Sequence, residues 1–172
     1  MSVHLAFLRA VNVGGTGKLP MAELRALCEG LGFDGVRTHI QSGNVVLKSD
    51  EGSAQVRAGL EEALERRLGK PVAVHVRTPD ELADILDRNP FEGALPNRVL
   101  VYLLDGPVPE GVDGLTGPAG EEVHASAREV FVHYPEGQGR SKLRLPLGRD
   151  ATARNLNTMR KMLELGRAAG SQ

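Results

Sequence analysis

Two apolar stripes at helical spacing, Leu24, Leu27, Cys28, Leu31 and Val56, Leu60, Leu64, Leu68, are each closed by a glycine, Gly32 and Gly69. Residues three and four apart share one face of a helix, and a glycine past the end terminates it. A one-sided helix must bury that face, and the surrounding residues offer only short strands to bury it against. Residues 3–8 are apolar, 36–40 alternate apolar and polar, and 45–47 and 72–76 are β-branched or apolar runs. Pro20 suits the first helical position and Ser53 is read as the cap of the second helix. The order β-α-β-β-α-β is the split, ferredoxin-like arrangement of an α+β fold, a sheet with two helices on one face.

The second half is patterned more weakly. Thr78-Pro79-Asp80-Glu81 reads as a capping box with proline at the first helical position, opening a helix that stops at Asn89-Pro90. Residues 99–104 form a strand, and 107–120 are rich in Gly and Pro, hence a loop with one short helical turn. Residues 121–126 and 129–134 read as a hairpin, and 135–140 as a glycine-rich turn. Thr152 is read as the cap of a last helix carrying Leu156, Met159, Met162, Leu163 and Leu165. We therefore expect a ferredoxin-like subdomain at 1–78, a connecting helix and linker at 79–97, and a smaller α+β subdomain with a hairpin and C-terminal helix at 98–172. Together they make one compact unit that partly repeats itself.

Three polar clusters are candidate ligand contacts. The first is Arg9, Asn12, Gly14, Gly15 and Lys18, on a glycine loop between strand and helix, where free backbone N–H groups can hold an anion. It is not a P-loop: Asn12 stands where the motif's first glycine belongs, and Leu19 where the magnesium-binding hydroxyl does. The second is Gln41-Ser42-Gly43-Asn44, which is also what an ordinary turn is made of. In the split order these two meet at one end of the sheet. The third is Arg140, Ser141 and Lys142 with Thr152, Arg154, Asn155, Asn157, Thr158 and Lys161. It brings cations, hydroxyls and helix N–H groups together, although Thr152 can equally be a simple cap.

Bulk properties narrow the functions. Formal net charge is −1 over 172 residues, which speaks against polyanion binding by the whole surface. The charge is uneven: residues 140–172 carry eight Lys+Arg against two Asp+Glu, about +6, leaving about −7 for the rest. The single cysteine, Cys28, is read as a core residue. His4, His39, His75, His124 and His133 lack metal-ligand spacing, no carboxylate pair stands out for acid–base work, and no metal, cofactor or catalytic group is assigned. Aromatics are 3%, too few for a base-stacking platform. No signal peptide or membrane-length apolar run is visible, so a cytoplasmic location is expected.

The motifs Leu8-Arg9-Ala10-Val11-Asn12-Val13-Gly14-Gly15, Pro20-Met21-Ala22-Glu23-Leu24 and Ile40-Gln41-Ser42-Gly43-Asn44-Val45-Val46 resemble the opening of the bacterial domain-of-unknown-function 1697 family. Asn89-Pro90-Phe91, Arg140-Ser141-Lys142-Leu143 and Thr152-Ala153-Arg154-Asn155-Leu156-Asn157-Thr158 resemble its later motifs. The resemblance implies an α+β fold of ferredoxin-like pieces and no particular activity. It departs at Ala10, where the family usually has Gly, and at Leu156, where it usually has Trp. The three polar clusters coincide with these motifs. The expected function is binding of an anionic small molecule or nucleotide at polar loops between the two halves. The alternatives are an enzyme acting on a phosphorylated or nucleotide substrate, and a nucleic-acid-binding module using the basic C-terminal segment.

Overall fold

The computed structural model describes residues 1–11 and 18–171. Its contacts divide the chain into two units, Met1–Leu82 with Met162–Gln172, and Ala83–Lys161. The boundaries thus fall at 82/83 and at 161/162.

In the first unit the elements are β1 (Ser2–Leu8), α1 (Met21–Gly30), β2 (Asp34–His39), β3 (Asn44–Ser49), α2 (Ser53–Leu68) and β4 (Val74–Arg77). The strands form one antiparallel sheet in the order β2-β3-β1-β4. This is the element order the apolar stripes predict. Because side chains alternate across a strand, Ala6, Leu8, Val45, Leu47, Val74 and Val76 share one face. Against it pack the buried helix residues Leu24, Cys28, Val56, Leu60 and Leu64. Burial of Cys28 pushes its thiol pKa up to about 12, so it is a packed, unreactive group. On the opposite face of the sheet, Gly166 lies so close to Leu5 that a Cβ there would stand 2.9 Å from Leu5 Cδ2.

The start of α2 differs from the sequence reading. Gly52 is the cap and Ser53 the first helical residue. The Gly52 N–H donates to Gln55 Oε1 at 2.9 Å, while the Ser53 hydroxyl lies 3.3 Å from His4 Nδ1. Burial of His4 lowers its pKa and holds the ring neutral. The box at Thr78 forms as expected: the Thr78 N–H donates to Glu81 Oε1 at 2.8 Å, and the Glu81 N–H to Thr78 Oγ1 at 3.2 Å. It opens α3 (Pro79–Asp87).

The second unit holds β5 (Val99–Leu103), β6 (Glu122–Ser126), β7 (Glu129–His133) and β8 (Thr152–Asn155), followed by α4 (Leu156–Gly170), whose end belongs to the first unit. Its sheet has the order β6-β7-β5-β8, again antiparallel throughout. That is the strand order of the first sheet, with loops in place of α1 and α2. One face is covered by those loops: Val112 of the 104–121 connection, and Leu143, Leu145 and Leu147 of the 134–151 connection, pack onto Val123, Val130, Val132 and Tyr134. Tyr102 and Tyr134 close this core with an OH···OH contact of 2.7 Å, and burial raises both pKa values. Thr152 is not a helix cap. It lies in β8, and the cap is Asn155, whose Oδ1 accepts the Thr158 N–H at 3.0 Å. Among the described residues no helix is long and apolar enough to cross a membrane, and no three His, Cys, Asp or Glu side chains are grouped to hold a metal.

Candidate functional site

Arg9 of the first cluster and the 40–43 turn of the second lie at one end of the first sheet. Phe7 and Asn44 are register partners, so Arg9 and the 40–43 turn leave the sheet together. The Leu8 N–H donates to the Gly43 carbonyl at 2.8 Å and the Arg9 N–H to the Ala73 carbonyl at 2.9 Å. Gly43 has φ +87°, with Val11 and Leu8 packed against it. Ala10 is also left-handed, φ +53°, which is why glycine suits that position in the resembling family. The buried Asn44 spends its amide on the turn, donating to the His39 carbonyl and to Ser42 Oγ, each at 3.0 Å. Asn44 and Ser42 therefore brace the loop. Arg9, Lys18 and Gln41 are exposed, and Asn12, Gly14 and Gly15 lie outside the described residues.

The third cluster lies in the second unit and divides by role. Arg154 is a strand residue opposite Val101, buried, with Nη1 donating to Thr152 Oγ1 and the Ala153 carbonyl at 3.0 Å. Burial lowers its pKa to about 10, so it remains a guanidinium at neutral pH. Asn155 caps α4, and Asn157 is exposed. Ser141 turns inward: its hydroxyl donates to Glu121 Oε2, and its Oγ accepts the Leu143 N–H at 3.1 Å. Arg140 and Lys142, on either side of it, are exposed.

The bond from Ser141 is the first cause that holds the Glu121 carboxyl below its usual range; its own backbone N–H and that of Ala119 add to it, against an opposing desolvation. A carboxylate with a depressed folded-state pKa stabilises the fold above its unfolded-state value and loses that contribution as pH falls through the folded one. Glu121→Gln is therefore expected to be less stable than the parent at pH 7. The gap should close as pH drops below the unfolded value of about 4.3. Urea midpoints of both proteins between neutral pH and pH 3 check this; parallel curves would refute it.

Arg140 also borders an open cleft of about 440 Å³, lined by Asn97, Arg98, Glu136, Gly137, Gly139 and Arg140. The 134–140 turn builds its rim. The Tyr134 N–H donates to the Arg98 carbonyl at 2.8 Å, and the Gly137 N–H to the Tyr134 carbonyl at 2.9 Å. Arg98 Nη1 donates to the Pro135 carbonyl at 2.9 Å, which fixes the guanidinium at the rim. Gly137, at φ +89°, leaves room for it: a Cβ there would stand 3.3 Å from Arg98 Nη1. Among the described residues neither Arg98 nor Arg140 forms an ion pair, and Glu136 is the only carboxylate on the lining. Two guanidinium groups on one concave, polar surface can take an anion bidentately. Sequence reasoning found Arg140 and missed Arg98, Asn97 and Gly137. Arg98 precedes β5 with no motif around it, and only the fold brings it to Arg140.

Comparison with known proteins agrees with this architecture. A conserved bacterial protein, SP0830 from Streptococcus pneumoniae, has the same fold at a TM-score of 0.75, with 22% sequence identity over 95% of this chain and 98% of that one. No curated protein sequence matches the chain. A family model described as "Protein of unknown function (DUF1697)" matches residues 1–131, reaching from β1 through the middle of the second sheet. The chain belongs to that family.

Proposed function

We propose that this protein binds an anionic small molecule, a nucleotide or another phosphorylated compound, in the cleft of the second unit, with Arg98 and Arg140 holding the phosphate. The observation that carries this reading is the pair of guanidinium groups facing one cleft without a carboxylate partner among the described residues. Arg98 is already oriented by the Pro135 carbonyl, so less side-chain freedom is lost when the anion arrives. Gly137 and Gly139 bring backbone close to the ligand, and Asn97 can bond a sugar hydroxyl or a base edge.

Thermal unfolding against a panel of nucleotides, pyrophosphate and phosphorylated metabolites tests it. A true ligand at a hundred times its Kd stabilises by about 2.7 kcal/mol. Hydrogen bonds to charged groups contribute about 1.5–3 kcal/mol, so Arg98→Ala should weaken the hit at least about tenfold. Arg66→Ala, at an exposed α2 position paired with Glu62, should leave the affinity unchanged. Silence across the panel, or equal affinity in the Arg98 variant, would refute the reading.

A further inference from the structure

The two guanidinium groups of the cleft are held differently. Arg98 is fixed by its own side chain, through the bond to the Pro135 carbonyl. Arg140 has no such bond. Among the described residues its guanidinium meets no hydrogen-bond or ion-pair partner, so its backbone alone sets where it stands. That backbone belongs to the 3-10 turn Gln138–Arg140. The Arg140 N–H donates to the Gly137 carbonyl at 3.4 Å, and the Ser141 N–H to the Gln138 carbonyl at 3.1 Å. A single turn with such bonds holds weakly by itself. The next residue holds strongly. The Ser141 hydroxyl donates to Glu121 Oε2, a charge-assisted bond, and its Oγ accepts the Leu143 N–H at 3.1 Å.

Glu121 is buried, at 1% exposure, and closely seated. Its Oε1 accepts the Ala119 N–H at 2.7 Å, and its carbonyl accepts the Gly117 N–H at 3.1 Å. Gly117 is packed so near that an added Cβ would stand 2.6 Å from Glu121 Cδ. A buried carboxylate bonded at both oxygens is a firm anchor, because leaving it unsatisfied is costly. Neither Glu121 nor Ser141 is on the lining of the cleft. We propose that Glu121 and Ser141 are positioning residues of the anion site: acting through the chain, they hold Arg140 at the cleft wall, where it meets the anion already placed. This rests on the anion-binding reading of the cleft and adds what sets its affinity. The anchor is a carboxylate of the same sign as the ligand, and it never touches the ligand. Without it, ordering Arg140 and its turn falls to the binding step and lowers affinity.

The test is calorimetric titration of inorganic pyrophosphate, well below the unfolding transition. Ser141→Ala should weaken binding about 2- to 10-fold, the cost of ordering one long side chain. Ser141→Thr, which keeps the hydroxyl, should restore it. Gly117→Ala pushes the Glu121 carboxyl off its seat with Ser141 intact, and should weaken binding as much as Ser141→Ala. Arg88→Ala serves as the comparison for lost stability alone. Its partner Glu129 pairs with Leu103, at the other end of the sheet from Val99 and His133, which lead into the cleft, so affinity should not change. The decisive arm is a double-mutant cycle. Ser141→Ala should lose nothing further in an Arg140→Ala background, and its full factor in an Arg98→Ala background. A Ser141→Ala protein that binds as tightly as the parent, a loss additive with that of Arg140→Ala, or a Ser141→Thr variant no better than Ser141→Ala overturns the proposal and leaves the cleft reading standing. An equal loss in Arg88→Ala makes the effect one of stability and overturns it too. A parent that does not bind pyrophosphate also overturns it, and silence across the whole panel of nucleotides and phosphorylated metabolites overturns the cleft reading as well.

Discussion

Gly43→Ala is expected to destabilise the first unit by about 2–5 kcal/mol, combining left-handed strain of ~1–2 kcal/mol with overpacking of ~1–3 kcal/mol. Two costs coincide at this residue. Its φ is +87°, which an L side chain adopts reluctantly, and an added Cβ would lie 2.7 Å from Val11 Cγ2 and 2.8 Å from Leu8 Cβ. Neither neighbour can yield cheaply. Leu8 is fixed by the hydrogen bond from its N–H to the Gly43 carbonyl, and Val11 and Leu8 both belong to the core under α1 and α2. Gly69→Ala separates the two terms. Gly69 has φ +74° at the end of α2, but nothing lies within 4 Å of the added carbon. It should therefore show the backbone term alone, about 1–2 kcal/mol. Urea unfolding of the two variants gives the comparison. If Gly43→Ala costs no more than Gly69→Ala, the packing around the 40–43 turn is looser than described.

The residues that made the fold legible are those whose pattern has a single physical reading. Val56, Leu60, Leu64 and Gly69 allow only a helix of that length, and α2 runs Ser53–Leu68. The second sheet was harder because its inner face is covered by extended loops. Leu143, Leu145 and Leu147 do alternate with Lys142, Arg144 and Pro146, but Pro146 and Gly148 break the run, and no strand partner completes it. Thr152 and Asn155 are both good caps, and the four-residue strand between Ala151 and Leu156 is too short for its periodicity to choose between them. The site divided in the same way. Ser42, Asn44, Asn155 and Arg154 stand out in sequence because they are polar and grouped, yet each is tied into the local backbone. Arg98 stands out only in space, because the Tyr134 N–H to Arg98 carbonyl bond carries the 134–140 turn to it.

Arg88→Ala is expected to cost about 3 kcal/mol in the second unit, the lower end of the range for breaking a buried ion pair. Arg88 follows α3, donates from Nε to Asp84 Oδ2 at 3.2 Å on that helix, and reaches the second sheet with both terminal nitrogens. Nη2 donates to Glu129 Oε1 at 2.9 Å, and Nη1 to Ser126 Oγ at 2.8 Å and to the Ser126 carbonyl at 3.1 Å. The two sides of the pair are unequal. The Glu129 side chain is 3% exposed and Arg88 is 28% exposed. Removing the arginine deprives a buried carboxylate of its counter-ion, whereas removing the carboxylate's charge leaves an arginine that water can reach. Glu129→Gln should therefore cost only about 1 kcal/mol, in the range of a solvated pair. The double variant, Arg88→Ala with Glu129→Gln, should be more stable than Arg88→Ala alone, with a coupling of about 1–3 kcal/mol. Arg88→Lys should fall between, since a lysine can face Glu129 but cannot span to Ser126 at the same time. Urea midpoints with an unchanged m-value would place these effects in the folded state. An Arg88→Ala loss no larger than that of Glu129→Gln would refute this account, since neither the bonds to Ser126 nor an uncompensated Glu129 would then cost stability.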